Sequence, residues 1–555
     1  MSDKNMKLAE LIFPDITQTP QDMEQQYPKR NLPENARVTR IAPSPTGFIH
    51  LGNLWSALID ERLAAQSGGV FCIRIEDTDQ KREVEGAIEA IFEMFDWLDI
   101  KFDEGFQIGG DIGSYGPYTQ SKREDIYKIF AKQLIQEGKA YPCFCSVEDI
   151  DKIKEEQQKC GENTGYYGKW AKCRDLSFEE AEEKIKNGEQ YIVRFRSPGD
   201  ENKRIAVNDL IKGLLDPPEN IRDEVVLKSD GLPTYHFAHA VDDHLMRTTH
   251  VVRDESWLST LPIHVQFFEA FGWMPPYYMH HSQLLKQEGE SKRKLSKRKD
   301  PELSLDYYSQ AGYLPQCLKE YIITLLNSNY EEWRIANPKA DMNEFKFTIE
   351  KLSPSGALFD LNKVNDISKN YISGLSTDEI YNYAKNWAEK YDKELCDILI
   401  NRESYAKAIL SIGRGEAKPR KDITLMSEIK DYMSFFYDEL FAPDYNLPAN
   451  ISEKVDGDTI KNIVSDYIDV YDPQVDQNTW FDKIKELAAK YGFAAEMKLY
   501  KKNPQDYKGS VADVSMILRV AVCGRTNSPD MYTVFNIMGK EMIQTRLRKF
   551  LEQEI

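Results

Sequence analysis

Apolar and polar residues alternate in two textures along the chain. From Arg37 to about Pro301, short apolar runs are interleaved with helix-period stretches. Val38-Thr39-Arg40-Ile41-Ala42 predicts a strand, and Pro43-Ser44-Pro45-Thr46-Gly47 predicts an extended segment closed by a turn. Leu51, Trp55 and Leu58 share one face of a helix predicted over about 52–65, and Ser67-Gly68-Gly69 stops it. Val70-Phe71-Cys72-Ile73-Arg74-Ile75 predicts the next strand. Strand, helix and strand without a hairpin signal form a βαβ unit, which implies a parallel sheet.

Helical periods recur over 85–100 and 120–140. From Tyr141 to about Asp223 cysteines cluster and charged helical pieces alternate with strand-like ones such as Tyr191-Ile192-Val193-Arg194-Phe195, so 141–223 is expected to be an insertion. Strand signals return at Val225-Val226-Leu227 and His250-Val251-Val252-Arg253, with a helix predicted from about Ser259 to Phe271. Beyond Pro301 the pattern is helical almost to the end. Pro14, Pro20, Pro28 and Pro33 interrupt the first 35 residues, which are expected to be a leader with at most a short helix.

Composition narrows the class. The 555 residues suggest several domains, and 41% hydrophobic with 29% charged residues is ordinary for a globular protein. No run of 18 apolar residues and no signal-peptide core occur, so a membrane helix is excluded and a cytoplasmic setting is expected. Eight cysteines are too sparse for a disulfide scaffold. The net charge of −19 argues against indiscriminate coating of nucleic acid, so such a partner must be met by local basic patches. All eight histidines lie between His50 and His281, which confines imidazole chemistry to the first half.

Two segments carry chemistry. Arg40-Ile41-Ala42-Pro43-Ser44-Pro45-Thr46-Gly47-Phe48-Ile49-His50-Leu51-Gly52-Asn53 joins a strand to a helix, where α/β sheets place ligands. A helix N-terminus offers N–H groups to a phosphate, Gly52 lets an adenine ring approach the backbone, and His50 and Asn53 can donate to phosphate oxygens. A Pro-rich turn with a helix cap is the plain alternative. The second segment, Lys292-Arg293-Lys294-Leu295-Ser296-Lys297-Arg298-Lys299, has six basic residues in eight. It reads either as a solvated basic loop or as a loop that lays lysines on a polyphosphate. No GxxxxGK[ST] sequence occurs, which excludes a P-loop.

Taken together the two segments resemble the paired signatures of class I aminoacyl-tRNA synthetases. His50-Leu51-Gly52-Asn53 matches the HIGH signature and Lys294-Leu295-Ser296-Lys297-Arg298 matches KMSKS. Ala42-Pro43-Ser44-Pro45-Thr46-Gly47, Arg74-Ile75-Glu76-Asp77-Thr78-Asp79, Ser229-Asp230-Gly231-Leu232-Pro233-Thr234-Tyr235-His236 and Val241-Asp242-Asp243-His244 resemble the glutamyl-tRNA synthetases, and the scarcity of strand patterns after Pro301 is similar to their bacterial branch. The likeness covers nearly everything from Arg37 on.

The resemblance implies an α/β fold. A Rossmann-like parallel-sheet catalytic domain would occupy 36–140 and 224–300, with an inserted α/β acceptor-binding domain at 141–223. All-α domains would follow, a stem-contact domain at 301–385 and an anticodon-binding region at 386–555. It further implies ATP-dependent ligation of L-glutamate to tRNA(Glu), through a glutamyl-adenylate, onto the 2′-hydroxyl of the terminal ribose, with tRNA present during activation. Mg²⁺ would accompany ATP. Thr46, His50, Gly52, Asn53, Lys294 and Lys297 would meet ATP, and of these His50, Asn53, Lys294 and Lys297 would act in catalysis. Arg40, Ser44, Glu76, Tyr235 and Arg253 would line the glutamate pocket, the arginines suiting carboxylates and Glu76 the ammonium. A monomer is expected.

Two positions depart from the glutamyl pattern: His239 replaces an Asn, and Asp254 replaces a small residue after Arg253. An added carboxylate beside a carboxylate-binding arginine is unfavourable, so either Asp254 points away or His239 compensates as a cation.

Cys143, Cys145 and Cys173 have spacing suited to a structural Zn²⁺, as in some glutamyl-type enzymes, with Cys160, Tyr167 or Asp175 as fourth ligand; packed free thiols are the alternative. Residues 498–555 hold ten Lys or Arg against six Asp or Glu, and Arg546, Arg548 and Lys549 share one helix, which suits an anticodon arm. The other functional readings are an enzyme that also charges tRNA(Gln), a glutaminyl enzyme, another nucleotidyltransferase of this superfold, and a synthetase-like tRNA-binding protein without catalysis.

Overall fold

The computed structural model describes residues 3–296 and 298–553. Two compact units result: residues through Tyr307 with Leu318–Asp360, and Tyr308–Cys317 with residues from Leu361 on.

The first unit opens with helices α1 (Asp3–Ile12) and α2 (Pro20–Gln26), where the proline count predicts at most a short helix. The correction has a local cause. Pro14 lies just past the end of α1, and Pro20 takes the first position of α2, where its missing N–H costs nothing. Thr19 caps α2 reciprocally with Asp22. Ala9, Met23 and Tyr27 are buried, so the segment packs into the core of this unit. Glu24 reaches His244 (2.6 Å) and Arg247 (2.7 Å), and Arg30 pairs with the buried Glu104.

The parallel sheet follows. Strand β1 (Val38–Ile41), helix α3 (Leu51–Ser67) and strand β2 (Val70–Ile73) form the expected unit, with β1 parallel to β2. Helix α4 (Ala87–Trp97) leads to β3 (Glu104–Gly105), parallel to β2. Helix α5 (Glu124–Gln136) comes next. The inserted region holds β4 (Ala140–Cys143), α6 (Val147–Lys159), α7 (Phe178–Lys186), β5 (Ile192–Phe195), a hairpin of β6 (Val207–Asp209) and β7 (Gly213–Leu215), and β8 (Val225–Leu227). β8 pairs antiparallel with β5, and β5 with β4, so this second sheet extends past residue 223.

The chain then returns with α8 (Tyr235–Leu245), β9 (His250–Asp254), α9 (Leu261–Phe271) and β10 (Tyr277–His281), β9 and β10 being parallel. Thr249 N–H donates to Val38 O (2.9 Å) and joins β9 to β1. The hairpin of β11 (Leu284–Glu288) and β12 (Ser291–Lys294) completes the site-bearing region.

The second unit is helical, built on Thr377–Tyr391, Gly457–Val470, Gln477–Lys490, Val511–Cys523 and Lys540–Leu551 around one apolar core. Arg548 and Lys549 are exposed on the last of these helices, but Arg546 is buried. It stacks 3.3 Å above Phe441 and pairs with Asp438, so it supports the fold and is withdrawn from the basic surface. Among the described residues no helix is long and apolar enough to cross a membrane.

Candidate active site

The carboxyl ends of β1 and β9 and the N-terminus of α3 open into a cavity of about 610 Å³. His50 is the N-cap of α3: its Nδ1 accepts Gly52 N–H (3.0 Å), while Asn53 Oδ1 accepts His50 N–H (3.0 Å). This cap fixes the imidazole tautomer, because Nδ1 is an acceptor and the neutral ring must carry its hydrogen on Nε2. The ring therefore presents a donor, at a helix end already favourable to anions. A Cβ on Gly52 would lie 2.9 Å from His50 Cε1 and push the ring off its cap.

Arg40, Ser44, His50, Gly52, Asn53, Glu76, Tyr235, Arg253 and Lys294 all line this one cavity, although they come from segments up to 254 positions apart in sequence. Thr46 lines a smaller adjoining hollow with His50 and Asn53 instead. Lys297 lies outside the described residues. The loop leading to it is braced: Asp300 accepts from Arg293 (2.6 Å) and from Ser296 N–H (2.9 Å).

Charges at the amino-acid end are densely paired. Arg40 Nε lies 3.1 Å from Asp243, and Arg74 bridges Asp243 (2.7 Å) and Glu76 (2.9 Å). Burial raises Glu76 above the usual carboxylate range, opposed by Arg74 and Arg40. Burial would also raise Asp243, but Arg40 and Arg74 overcome it and hold that carboxyl well below its ordinary value.

Arg253 is held differently. Its Nε donates to His280 Nε2 (2.9 Å), and its Nη1 lies 2.9 Å from His264 Nδ1. Its ring contact is Tyr278, 4.9 Å from the guanidinium carbon. Among the described residues its buried Nη2 has no hydrogen-bond partner.

The two departures resolve separately. Asp254 accepts from Ser256 N–H (2.8 Å) and Gln283 Nε2 (3.1 Å), and its carboxylate stands 4.0 Å from Lys294 Nζ. It caps the turn after β9, lines the same cavity and lies toward Lys294, and among the described residues it makes no ion pair with Arg253. His239 is not a compensating cation. Burial pushes its pKa down to about 4 despite Asp243 at 3.0 Å, so the ring is neutral at physiological pH.

A family model for "tRNA synthetases class I (E and Q), catalytic domain" matches residues 37–366, and one for "Anticodon binding domain" matches 379–551. The glutamate–tRNA ligase of Acetivibrio thermocellus is 50% identical over 98% of this chain and 99% of its own. That of Clostridium perfringens strain SM101 is 48% identical with the same coverage.

The chain belongs to the glutamate–tRNA ligase family.

A solved glutamate–tRNA ligase from Elizabethkingia meningosepticum, in complex with its amino acid, superposes with a TM-score of 0.74 at 29% identity, over 94% of this chain and 99% of that one. Behind the cavity of this glutamate–tRNA ligase family member stand residues to which motif reading gave no role. Asp243, His264 and His280 hold the two pocket arginines, and neither His264 nor His280 falls inside a motif that the sequence offers.

A second cluster lies in the inserted region. Sulfurs of Cys143, Cys145 and Cys173 all fall within 4.8 Å of one another, with 3.6 Å between Cys145 and Cys173. Metal–sulfur bonds of about 2.3 Å in a tetrahedron require sulfurs roughly 3.8 Å apart, so the trio fits a zinc ion. Cys160 is exposed and outside the cluster. Tyr167 donates to Asn163 O (2.6 Å), and Asp175 accepts from Arg196 (3.1 Å). Beside the trio stands Tyr166, whose hydroxyl lies 3.4 Å from Cys143 Sγ and 3.3 Å from Cys145 Sγ and accepts Cys173 N–H (2.9 Å). Adjacent tyrosines at 166 and 167 point to opposite sides, which spacing alone does not decide.

Proposed function

We propose that this chain ligates L-glutamate to the 3′-terminal ribose of tRNA(Glu) in two steps. The observation that carries the reading is the meeting, in one cavity, of a capped helix N-terminus with two arginines and a buried glutamate. An oxygen of the glutamate α-carboxylate attacks the α-phosphorus of ATP, the P–O bond to the β-phosphate breaks, and pyrophosphate leaves. His50 Nε2–H and the first-turn N–H groups of α3 steady the phosphates. Lys294 stands at the cavity edge to offset triphosphate charge, and Lys297 takes the same role from the loop. A ribose hydroxyl then attacks the adenylate carbonyl and AMP departs.

Within the pocket, Glu76 takes the substrate ammonium and Arg40 the carboxylate nearest the phosphates. Arg253 takes the side-chain carboxylate, with Ser44 and Tyr235 lining the space between. Mg²⁺ bound through ATP phosphates supplies further charge neutralisation. Cys143, Cys145, Cys173 and Tyr166 would hold one structural Zn²⁺ that ties β4 to the segment before α7. Exposed Arg548 and Lys549 in the second unit would meet the anticodon arm, by phosphate contact.

Charging with labelled glutamate, using purified tRNA(Glu) and tRNA(Gln) in separate reactions, tests the reading. Charging of tRNA(Glu) supports it, charging of both widens it to a non-discriminating enzyme, and charging of neither overturns it. The metal is tested by elemental analysis of the purified protein: about one zinc per chain is expected, lost in Cys173→Ser.

A further inference from the structure

A chain of buried polar groups runs from the inserted region to Arg253. Asp209 ends strand β6, next to the turn of the β6–β7 hairpin. Its Oδ1 accepts Ile211 N–H (2.9 Å) and Lys212 N–H (2.8 Å). Its Oδ2 lies 2.7 Å from His280 Nδ1 and 3.1 Å from His280 N. Every group around this carboxylate is a donor, so His280 must carry its hydrogen on Nδ1. Nε2 is then a bare acceptor, and it takes the Arg253 Nε–H at 2.9 Å.

On the other side of Arg253, His264 Nδ1 accepts from Nη1, so its hydrogen sits on Nε2, 2.9 Å from His236 Nδ1. Burial keeps these rings neutral: it lowers His280 and His264, and it pushes His236 down to about 4. Arg253 is thus gripped by two acceptors of no net charge, and among the described residues its buried Nη2 has no partner. A guanidinium so held keeps its whole charge for a ligand, and the unpaired buried donor must be satisfied by that ligand.

We propose that Asp209 and His280 are positioning residues for glutamate selection. Asp209 fixes the tautomer of His280, His280 fixes the Arg253 fork, and Arg253 then prefers a side-chain carboxylate over a carboxamide. The proposal rests on the reading of Arg253 as the side-chain carboxylate ligand. Asp209→Asn makes the point chemically. Either orientation of the amide sets its NH₂ against existing donors, and the relief available to His280 is to move its hydrogen to Nε2, against Arg253 Nε–H.

The experiment is steady-state charging of tRNA(Glu) by the full chain and by Asp209→Asn, His280→Leu and His280→Gln, with KM for glutamate, KM for ATP and inhibition by glutamine measured for each. Glutamine can reach its side-chain oxygen to a loosened Arg253 nearly as well as before. The expected result is a glutamate KM raised about tenfold or more in Asp209→Asn and His280→Leu. ATP KM should stay within about twofold and glutamine inhibition should change little. His280→Gln, which keeps an acceptor for Arg253 and a donor for Asp209, should recover much of the loss. An unchanged glutamate KM in Asp209→Asn, a parallel rise in ATP KM, or a Gln variant no better than Leu overturns the relay. If Asp209→Asn does not fold, the comparison of the two His280 variants decides. Failure of the unaltered chain to charge glutamate would overturn the underlying reading, and is seen first.

Discussion

Arg40 and Arg253 face the same cavity and are built in opposite ways. Arg40 sits among carboxylates: Asp243 at 3.1 Å, with Arg74 and Glu76 continuing the ion-pair chain. Arg253 sits among neutral imidazoles, with no carboxylate among its hydrogen-bond partners. The first arrangement keeps a buried cation affordable without substrate, at the cost of muting its field. The second leaves charge uncompensated until an anion arrives, which converts burial into selectivity.

The largest test removes the second arginine. Arg253→Ala should lower kcat/KM for glutamate by about 10²–10⁴, the equivalent of two charge-assisted hydrogen bonds, while melting temperature holds or rises. Asp243→Asn strikes the other arginine. It strands Arg40 and Arg74 without their shared carboxylate and should cost about 3–5 kcal/mol of stability, read by urea unfolding.

Acid comes next. His236, His239 and His281 are held near 4 by burial, against an ordinary value of 6.5. The unfolded chain binds their protons first, so their stability contribution is full above pH about 6.5. It falls as pH drops from there to about 4, by roughly 1.4 kcal/mol per unit for each ring. Denaturant midpoints measured from pH 7 to 5 should therefore decline, and His239→Asn should make the decline shallower. The smallest effect is His264→Gln. An amide oxygen can replace the imidazole acceptor, and glutamate KM should rise no more than about tenfold.

The strand–helix junction that carries His50 was legible because its signals are local. Proline, glycine and histidine at fixed offsets around a strand–helix junction specify the cap that His50 makes with Gly52. The parallel strands were legible for the same reason, since apolar runs separated by a helix-length segment admit few topologies. What was not legible depends on distant pairing. Asp209 lies 71 positions from His280, and Asp243 lies 203 from Arg40. Nothing near Asp209 marks it from a solvated aspartate, and the block around Asp243 does not show which arginine it meets. Pro20 looks like a breaker in sequence because a proline's effect reverses between the interior and the first turn of a helix. Arg546 was grouped with a basic face because helical spacing does not show which neighbour turns inward.

The N-terminal helices carry a consequence for where this molecule can be cut. The family match begins at residue 37, but Arg30 satisfies Glu104, Glu24 satisfies Arg247, and Tyr27 fills the space beside Arg123. A piece trimmed to the shared boundary would keep every signature residue and expose a wound of unmatched charge behind α8. The family model is here shorter than the unit of folding, whereas the relatives matched over 98% of the chain share the helices too.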